Sequence, residues 1–408
     1  MKYDIIIVGS GISGLYSAYK IRKMYPELSV LILEKYGSKW IGGRTNNESF
    51  YGTQIVSGAG IGRVKKDHLL FKLLNELDIE YKPFTVQKAY ASSVERIDIM
   101  KTVRFLRTQY ENYEKPPKTT FKDFATKHLG KATYQHFVVN TGYTDYENED
   151  VYDTLYHYGF DDLIAGWTGA QIPWHELVER LLENIGSKRE HVHTTEKVVG
   201  IDGVLGDFSI MTEKGHTYNC RKVIVATTIT SVKELFPGMA IYNQIHGQPF
   251  LRMYGKFSGK SAEIMRERVT VQTIVTGALY KIIPMDTEKG IYMIGYTDNA
   301  GALELRRYLE NTTENREKWA REIEKALNIE DGSLGLTAIR DYYWPIGTHY
   351  YEPLDRRQFE NRESFIQKAQ NPMDGILVVG EMVSLNQGWV QGALESVESV
   401  LHKKWILL

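Results

Sequence analysis

A glycine-rich turn directly after the first apolar run constrains the fold of this chain most strongly. Residues 3–8 are mostly apolar and β-branched, as a buried parallel strand requires, and Gly9, Gly11 and Gly14 follow as GxGxxG. In this pattern the first glycine permits a tight turn, the second lets the backbone approach a pyrophosphate, and the third lets the next helix pack on the strand. The pattern predicts the start of a βαβ unit that binds a dinucleotide.

Two features downstream of the turn complete this unit. Leu15, Ala18 and Ile21 recur at threefold spacing, which predicts a helix whose positive N-terminal end favours a bound phosphate. A second apolar strand over residues 29–33 ends at Glu34, whose carboxylate can accept hydrogen bonds from ribose hydroxyls and argues against a 2′-phosphate. These residues do not separate NAD from FAD. The residues assigned to the dinucleotide here are Gly9, Gly11, Ile12, Ser13, Gly14, Glu34 and Lys35.

Length, charge and cysteine content exclude several other classes of protein. A chain of 408 residues is long for one core, so we expect two interleaved domains. The net charge of −1 gives no electrostatic reason to expect nucleic acid or an anionic membrane as a partner. No apolar run is as long as a membrane span, and the chain starts directly with a strand, so we expect no signal peptide and a cytoplasmic location. The single cysteine, Cys220, excludes a disulfide framework and a cysteine-based metal cluster, and we predict no metal site.

Strand patterns recur at the start, in the middle and at the end of the chain. Residues 81–158 are polar and aromatic and predict helices instead. The middle strands include a predicted hairpin that turns at Lys214 and Gly215, and residues 375–380 predict a last buried strand before a helix over residues 388–402. The pattern predicts a nucleotide domain of residues 1–80, 187–240 and 371–408, and a substrate domain of residues 81–186 and 241–370.

The combination of these motifs resembles one enzyme family. GxGxxG, Glu34, Gly42-Gly43-Arg44 and the closing GILVVGEMVSLNQGWVQGALESVES resemble the flavin-dependent amine oxidases, which include monoamine, polyamine and L-amino-acid oxidases. NAD-dependent dehydrogenases have no need for such a C-terminal element, so the resemblance implies FAD. It covers a little under half of the chain. It implies an α/β fold in which a Rossmann-type FAD-binding domain is interleaved with an α+β substrate domain.

The resemblance also assigns cofactor contacts along the chain. It implies that Gly42 and Gly43 let the backbone pass close to the flavin, and that Arg44 neutralises pyrophosphate charge. The final helix, which starts at Trp389 and Val390, would stabilise negative charge on reduced flavin through its N-terminal dipole. The other implied cofactor residues are Gly58, Ala59, Gly60 and Ile61 along the flavin ring, Val198 at the adenosine, and Gly380 and Glu381 at the ribityl phosphate.

The attachment of the flavin can also be inferred from the resemblance. Monoamine oxidases attach flavin through a cysteine, and the corresponding stretch here, WPIGTHYYEP, has Thr348 near that position. Cys220 lies far away in sequence, and we interpret it as a small buried apolar residue. We therefore expect non-covalent FAD.

On the substrate side the resemblance implies four catalytic residues. The family often places a lysine, bridged by water to flavin N5, on a strand that matches PFLRMYGKF, and here Arg252 takes its position. An arginine is no base, but it can orient water, bind a substrate carboxylate in a bidentate manner or form a structural salt bridge. Trp389 is predicted as one aromatic wall of a substrate slot, and His349 or Tyr350 as the other. His349 could also take a proton at neutral pH.

These features together predict an FAD-dependent amine oxidase. A small-molecule amine would give a hydride from its α-carbon to flavin N5, water would hydrolyse the imine, and O2 would reoxidise the flavin to give H2O2. Two alternatives stay open. One is a related flavoenzyme, such as a desaturase, a porphyrinogen oxidase or a sugar mutase, and the other is a non-catalytic flavoprotein that binds a partner. The sequence identifies neither the amine nor the oligomeric state.

Overall fold

The computed structural model describes residues 2–186 and 191–407. Its strands are β1 (Lys2–Val8), β2 (Val30–Leu33), β3 (Asn47–Phe50), β4 (Thr53–Val56), β5 (Ile61–Arg63), β6 (Lys82–Thr85), β7 (Lys88–Tyr90), β8 (Thr168–Gln171), β9 (Val192–His193), β10 (Val198–Val204), β11 (Asp207–Thr212), β12 (Thr217–Val225), β13 (Ile245–Phe257), β14 (Gln272–Ile274), β15 (Lys281–Asp286), β16 (Ile291–Asp298), β17 (Leu336–Tyr351) and β18 (Ile376–Val378). Its α-helices are α1 (Ile12–Met24), α2 (His68–Glu76), α3 (Ile99–Glu111), α4 (Phe121–Leu129), α5 (Lys131–Thr141), α6 (Val151–His157), α7 (Trp174–Ile185), α8 (Ile229–Leu235), α9 (Gly259–Arg268), α10 (Asn299–Leu305), α11 (Thr313–Leu327), α12 (Arg362–Gln370), α13 (Val390–Glu398) and α14 (Lys403–Leu407).

The first sheet collects strands from three separate parts of the chain. Its order is β10-β11-β12-β1-β2-β9, and β18 pairs with β12 beyond the segment that β11 occupies. Strands β18, β12, β1, β2 and β9 are parallel, whereas β10, β11 and β12 form an antiparallel meander. The predicted βαβ unit is confirmed as β1–α1–β2. The predicted hairpin is confirmed too, since β11 and β12 are antiparallel neighbours across Lys214 and Gly215.

Both faces of this sheet are buried, as its apolar strands predict. Ile5 and Ile7 of β1 face a core that they share with α1, α2, α7 and α13, whereas Ile6 and Val8 face a core that includes α8 and α12. Helix α7 therefore packs on the first sheet, against α1. The predicted domain boundary at residue 186 does not match this packing, because it assigned α7 to the substrate domain.

A second sheet is built from residues of the region predicted as the substrate domain. Its order is β17-β13-β16-β15-β14-β7, and all of its neighbours are antiparallel except β14 and β7. Helices α10 and α11 cover it through a shared apolar core. Most of residues 81–158 form α3 to α6 around an aromatic core that includes Phe121, Phe137 and Tyr146, as predicted for that region. Within the described ranges, no helix has the length and apolar content to cross a membrane.

Candidate cofactor and substrate site

A cavity of about 1160 Å³ connects the start of α1 with the second sheet. Its wall includes Ile12 at the start of α1, Arg44, Arg252 on β13 and Trp389. Six more residues with predicted cofactor roles also line it: Gly58, Ala59, Gly60, Ile61, Glu381 and Val390. The cavity thus brings together residues that the sequence assigned to the cofactor and residues that it assigned to the substrate.

The three positions of the turn are occupied by glycine for different structural reasons. Gly9 has φ +106°, and a Cβ there would lie 2.4 Å from the carbonyl oxygen of Ala226. A Cβ at Gly14 would lie 2.1 Å from the carbonyl oxygen of Gly9, so both positions need glycine for the fold itself. Gly11 has φ −66° and ψ 174°, which any residue adopts, and a Cβ there would meet no described protein atom within 4 Å. The space beside Gly11 is therefore free for a ligand, as a pyrophosphate site requires.

Two helices present free N-terminal ends to this cavity. Neither α1 nor α13 receives a side-chain cap from the described residues, and neither carries an acidic residue in its first turn. Their first residues, Ile12 and Val390, both line the cavity. The unpaired N–H groups and the helix dipoles make both ends favourable for negative charge.

Glu34 holds the backbone of the turn. Its Oε2 accepts hydrogen bonds from the Ser10 N–H (2.9 Å) and the Ser10 hydroxyl (2.7 Å), and its Oε1 accepts one from the Tyr36 N–H (2.9 Å). A carboxylate has about four acceptor positions, so capacity for a ribose hydroxyl is left. Lys35 is exposed beside it, and Val198 is a buried residue at the start of the edge strand β10. The adenosine role of Val198 stays a prediction.

The turn is flanked by the two other glycine motifs. Gly42 and Gly43 have φ +92° and +58°, and Gly42 forms an isolated parallel bridge with Gly11. Gly380 has φ +133°, and a Cβ there would lie 3.8 Å from the Ser13 hydroxyl oxygen. Segments far apart in sequence therefore meet at the start of α1.

Glu381 connects three of these segments through its buried carboxylate. Its Oε1 lies 2.5 Å from Nδ1 of His349 and 3.0 Å from Nη1 of Arg44, and its Oε2 accepts the Gly388 N–H at 3.0 Å. The Ile229 N–H donates to Nε2 of His349, so Nδ1 is the nitrogen that donates to Glu381. Burial alone would raise the pKa of Glu381, but the contacts with His349, Arg44 and the Gly388 N–H lower it to about 2. The carboxylate is a structural link between the Gly42-Gly43-Arg44 loop, β17 and the segment before α13.

The predicted second wall of the slot is wrong for both residues. His349 is 3% exposed and uses both ring nitrogens in the contacts just described, so its ring is not a free surface. Tyr350 points to the other face of β17 and stacks on His246, with 5.2 Å between ring centroids. Among the described residues of this strand, Trp344, Gly347 and Thr348 line the cavity instead.

Trp389 lines the cavity and stacks against an arginine, and its role as a wall of the substrate slot stays a prediction. The guanidinium carbon of Arg63 lies 3.8 Å from its ring centroid. Arg63 is itself fixed by Asp67 (2.7 Å) and Asp162 (3.0 Å). This stacked arrangement holds the indole in one orientation.

Arg252 is buried but faces the cavity. Its Nη2 donates to the Tyr296 hydroxyl at 3.0 Å, and a Cβ at Gly60 would lie 3.3 Å from the same nitrogen. No carboxylate of the described residues lies within ion-pair distance of Arg252, so the structural salt bridge that we considered is absent from that part of the chain. Lys256, on the same strand, donates to the Lys289 carbonyl outside the cavity.

The sequence analysis did not identify a group of polar and aromatic residues in and next to this cavity wall. Tyr143, Asp145 and Tyr296 line the cavity, and Lys281 is fully buried with its Nζ 2.9 Å from the Tyr143 ring centroid. Burial lowers the pKa of Lys281 well below 10.5, and burial raises the pKa of Asp145 to about 6. Their segments carry no motif. The one sequence feature that could have indicated this group is the charged residue at the start of the apolar strand β15.

Comparisons with known proteins agree with this geometry. Residues 7–77 match the family model of the NAD(P)-binding Rossmann-like domain. An uncharacterized protein of Acanthamoeba polyphaga mimivirus is 37% identical over 60 residues, which are 15% of this chain and only 11% of that protein. Two solved structures cover 98% of this chain and are themselves covered to 98%. They are cyclohexylamine oxidase from Brevibacterium oxydans (TM-score 0.73, 16% identity) and putrescine oxidase bound to putrescine (TM-score 0.75, 13% identity). The predicted fold class is confirmed, and the chain shares the overall fold of these two oxidases.

Proposed function

We propose that this protein is an FAD-dependent oxidase that acts on an amine. The observation that carries the proposal is the continuous cavity, which has the uncapped N-terminal end of α1 at one end and a buried arginine with aromatic walls at the other. A cavity of this kind suits a cofactor and a small substrate together. The fold shared with a cyclohexylamine oxidase and a putrescine oxidase supports the same reaction class.

The residues present fit FAD. The space beside Gly11 and the free end of α1 would take the pyrophosphate, Glu34 the ribose, and residues 58–61 the flavin ring. When bound, FAD would supply the redox chemistry by accepting a hydride from the α-carbon of the amine and passing the electrons to O2, which gives H2O2. The free end of α13 would favour negative charge beside it, and Trp389 would limit the orientations of the amine.

We expect the purified protein to carry FAD that acid or heat releases. Thr348 lines the cavity where the resemblance places a tethering cysteine, whereas Cys220 lies on β12 and is fully buried in the core. Chromatography against FAD and FMN standards identifies the released flavin. A flavin that migrates with the denatured chain in gel electrophoresis, or FMN in place of FAD, would contradict this expectation.

The reaction class is tested by mixing the oxidised protein with candidate substrates in the absence of oxygen. Monoamines, polyamines and amino acids form the panel, and loss of the flavin absorbance reports reduction. Peroxide formed after air is readmitted reports the second half of the reaction. If no member of the panel reduces the flavin, the oxidase proposal fails in favour of a related flavoenzyme or a non-catalytic flavoprotein.

Replacing Trp389 with alanine should leave FAD bound but slow its reduction by substrate roughly tenfold or more, because the amine loses the wall that orients it. Trp389→Phe keeps an aromatic ring at this position and should retain most of the rate. Stopped-flow absorbance measures the reduction step for each variant. Reduction at the parent rate in Trp389→Ala would place the slot elsewhere in the cavity.

A further inference from the structure

Three arginines are buried in the described part of the chain, and one of them differs from the other two. Arg63 and Arg362 each contact carboxylates, Arg63 through Asp67 and Asp162, and Arg362 through Asp153 at 2.6 Å. Arg252 is 6% exposed, as Arg63 is, and has no described carboxylate partner. A buried charge without a counter-ion is costly, so a partner from outside the chain would stabilise it.

The donors of Arg252 are only partly used by the protein. Its guanidinium offers five N–H donors in a planar fork that matches a carboxylate. The hydroxyls of Tyr296 and Tyr254 are its described hydrogen-bond partners, and both are neutral groups. The guanidinium faces the cavity beside Gly60, so a ligand can reach it.

The carboxylates that line the same cavity are bound elsewhere or lie at its exposed rim. Asp67 and Asp162 contact Arg63, and Glu381 contacts His349 and Arg44. Asp145 accepts the Tyr158 hydroxyl at 2.6 Å. Two further lining carboxylates are exposed to solvent, namely Glu80 and Glu176. None of the carboxylates in the described wall therefore neutralises the charge of Arg252, so an anionic ligand can bind to it.

We infer that the substrate is an amine that carries a carboxylate, an α-amino acid, and that Arg252 binds this carboxylate with the Tyr296 hydroxyl beside it. The inference rests on the proposed oxidase function. An amino acid, O2 and water would give a 2-oxo acid, ammonium and H2O2. The two electrons leave with the α-carbon hydride and reduce O2, and water supplies the new carbonyl oxygen. The Arg252 site thus selects among amines before any bond is broken.

Matched substrate pairs that differ only by the carboxylate test this inference in the flavin-loaded protein. The pairs are leucine with 3-methylbutylamine, phenylalanine with 2-phenylethylamine, and ornithine with putrescine. The parent protein should prefer the amino acid in kcat/KM by roughly 10- to 100-fold, as expected for a charge-assisted bidentate contact. Arg252→Met should remove this preference and Arg252→Lys should keep part of it. Lys256→Met, on the same strand, should keep all of it.

Binding of ligands that cannot be oxidised gives a second readout. Calorimetric titration of the parent protein with benzoate and with neutral benzamide should show roughly tenfold or more tighter binding of benzoate, and Arg252→Met should bind the two alike. Equal or undetectable binding of both ligands to the parent overturns the inference, as does faster oxidation of the amines than of their amino acids. In the latter case the proposed oxidase function survives. Benzoate selectivity without reduction by any amine or amino acid would instead reject the oxidase function and leave the anion site. If Arg252→Met does not fold, the comparisons of amino acid with amine and of benzoate with benzamide in the parent protein still test the inference.

Discussion

Replacing Gly11 with valine should give a folded protein that carries no flavin. The backbone of Gly11 is extended, and a Cβ there meets no described protein atom within 4 Å, so the fold accepts a side chain at this position. The added isopropyl group would fill the space proposed for the pyrophosphate. Flavin absorbance per chain and circular dichroism of the same preparation measure the two outcomes. Full flavin content in this variant would show that the pyrophosphate lies elsewhere.

Two other glycines provide matched controls. Gly238 also has open space around its Cβ position and lies outside the cavity wall, so Gly238→Val should keep its flavin. Gly9→Val should fail at the earlier step of folding, because its φ of +106° and the carbonyl oxygen of Ala226 at 2.4 Å exclude a side chain. The three variants together separate loss of cofactor from loss of fold.

Replacing Glu381 with alanine should lower the free energy of unfolding by about 3 kcal/mol. The carboxylate accepts hydrogen bonds from His349, Arg44 and the Gly388 N–H, and its removal leaves these groups without this partner. The lower end of the range for broken buried pairs applies, since the Arg44 side chain is 30% exposed. Urea unfolding of the flavin-free protein measures the change. Asp207→Ala, which breaks an exposed ion pair with Lys2, should cost less than about 1 kcal/mol.

The same carboxylate predicts a pH dependence. The pKa of Glu381 falls from 4.5 to about 2 in the folded protein, so its contribution is complete above pH 4.5 and is lost as the pH falls towards 2. The difference in stability between the parent and Glu381→Gln should therefore shrink over this pH range. A difference that stays constant from pH 6 to pH 3 would show that the charge of Glu381 does not stabilise the fold.

The nucleotide side could be predicted from the sequence because its signals are local. Gly9, Gly11 and Gly14 lie between a strand and a helix that are contiguous with them, and each element has its own apolar period. The assignment of α7 to the substrate domain was wrong because its partner, α1, is distant in sequence. A helix pattern shows that one face is buried but not which element covers it.

The predicted substrate residues could not be placed from the sequence in the same way, because a local sequence pattern does not show which side chains point into the cavity. His349 and Tyr350 are adjacent on β17, so they must point to opposite faces, but the sequence did not show that neither side chain lines the cavity. Arg252 was found through a resemblance, whereas the absence of a carboxylate partner among the described residues is visible only in the folded chain. Lys281 and Tyr143 come together from different segments, and neither segment alone signals the contact.

The pairing of β18 with β12 has a consequence for biosynthesis. The N-terminus of the chain emerges from the ribosome first, so β1 and the glycine turn can fold long before β18 and α13 emerge. Gly380 and Trp389, which complete the walls beside Ser13 and Arg63, arrive with those last elements. We therefore expect a nascent chain to remain colourless until β18 and α13 have emerged. Uptake of the flavin would then follow the emergence of these two elements rather than guide the folding of the earlier ones.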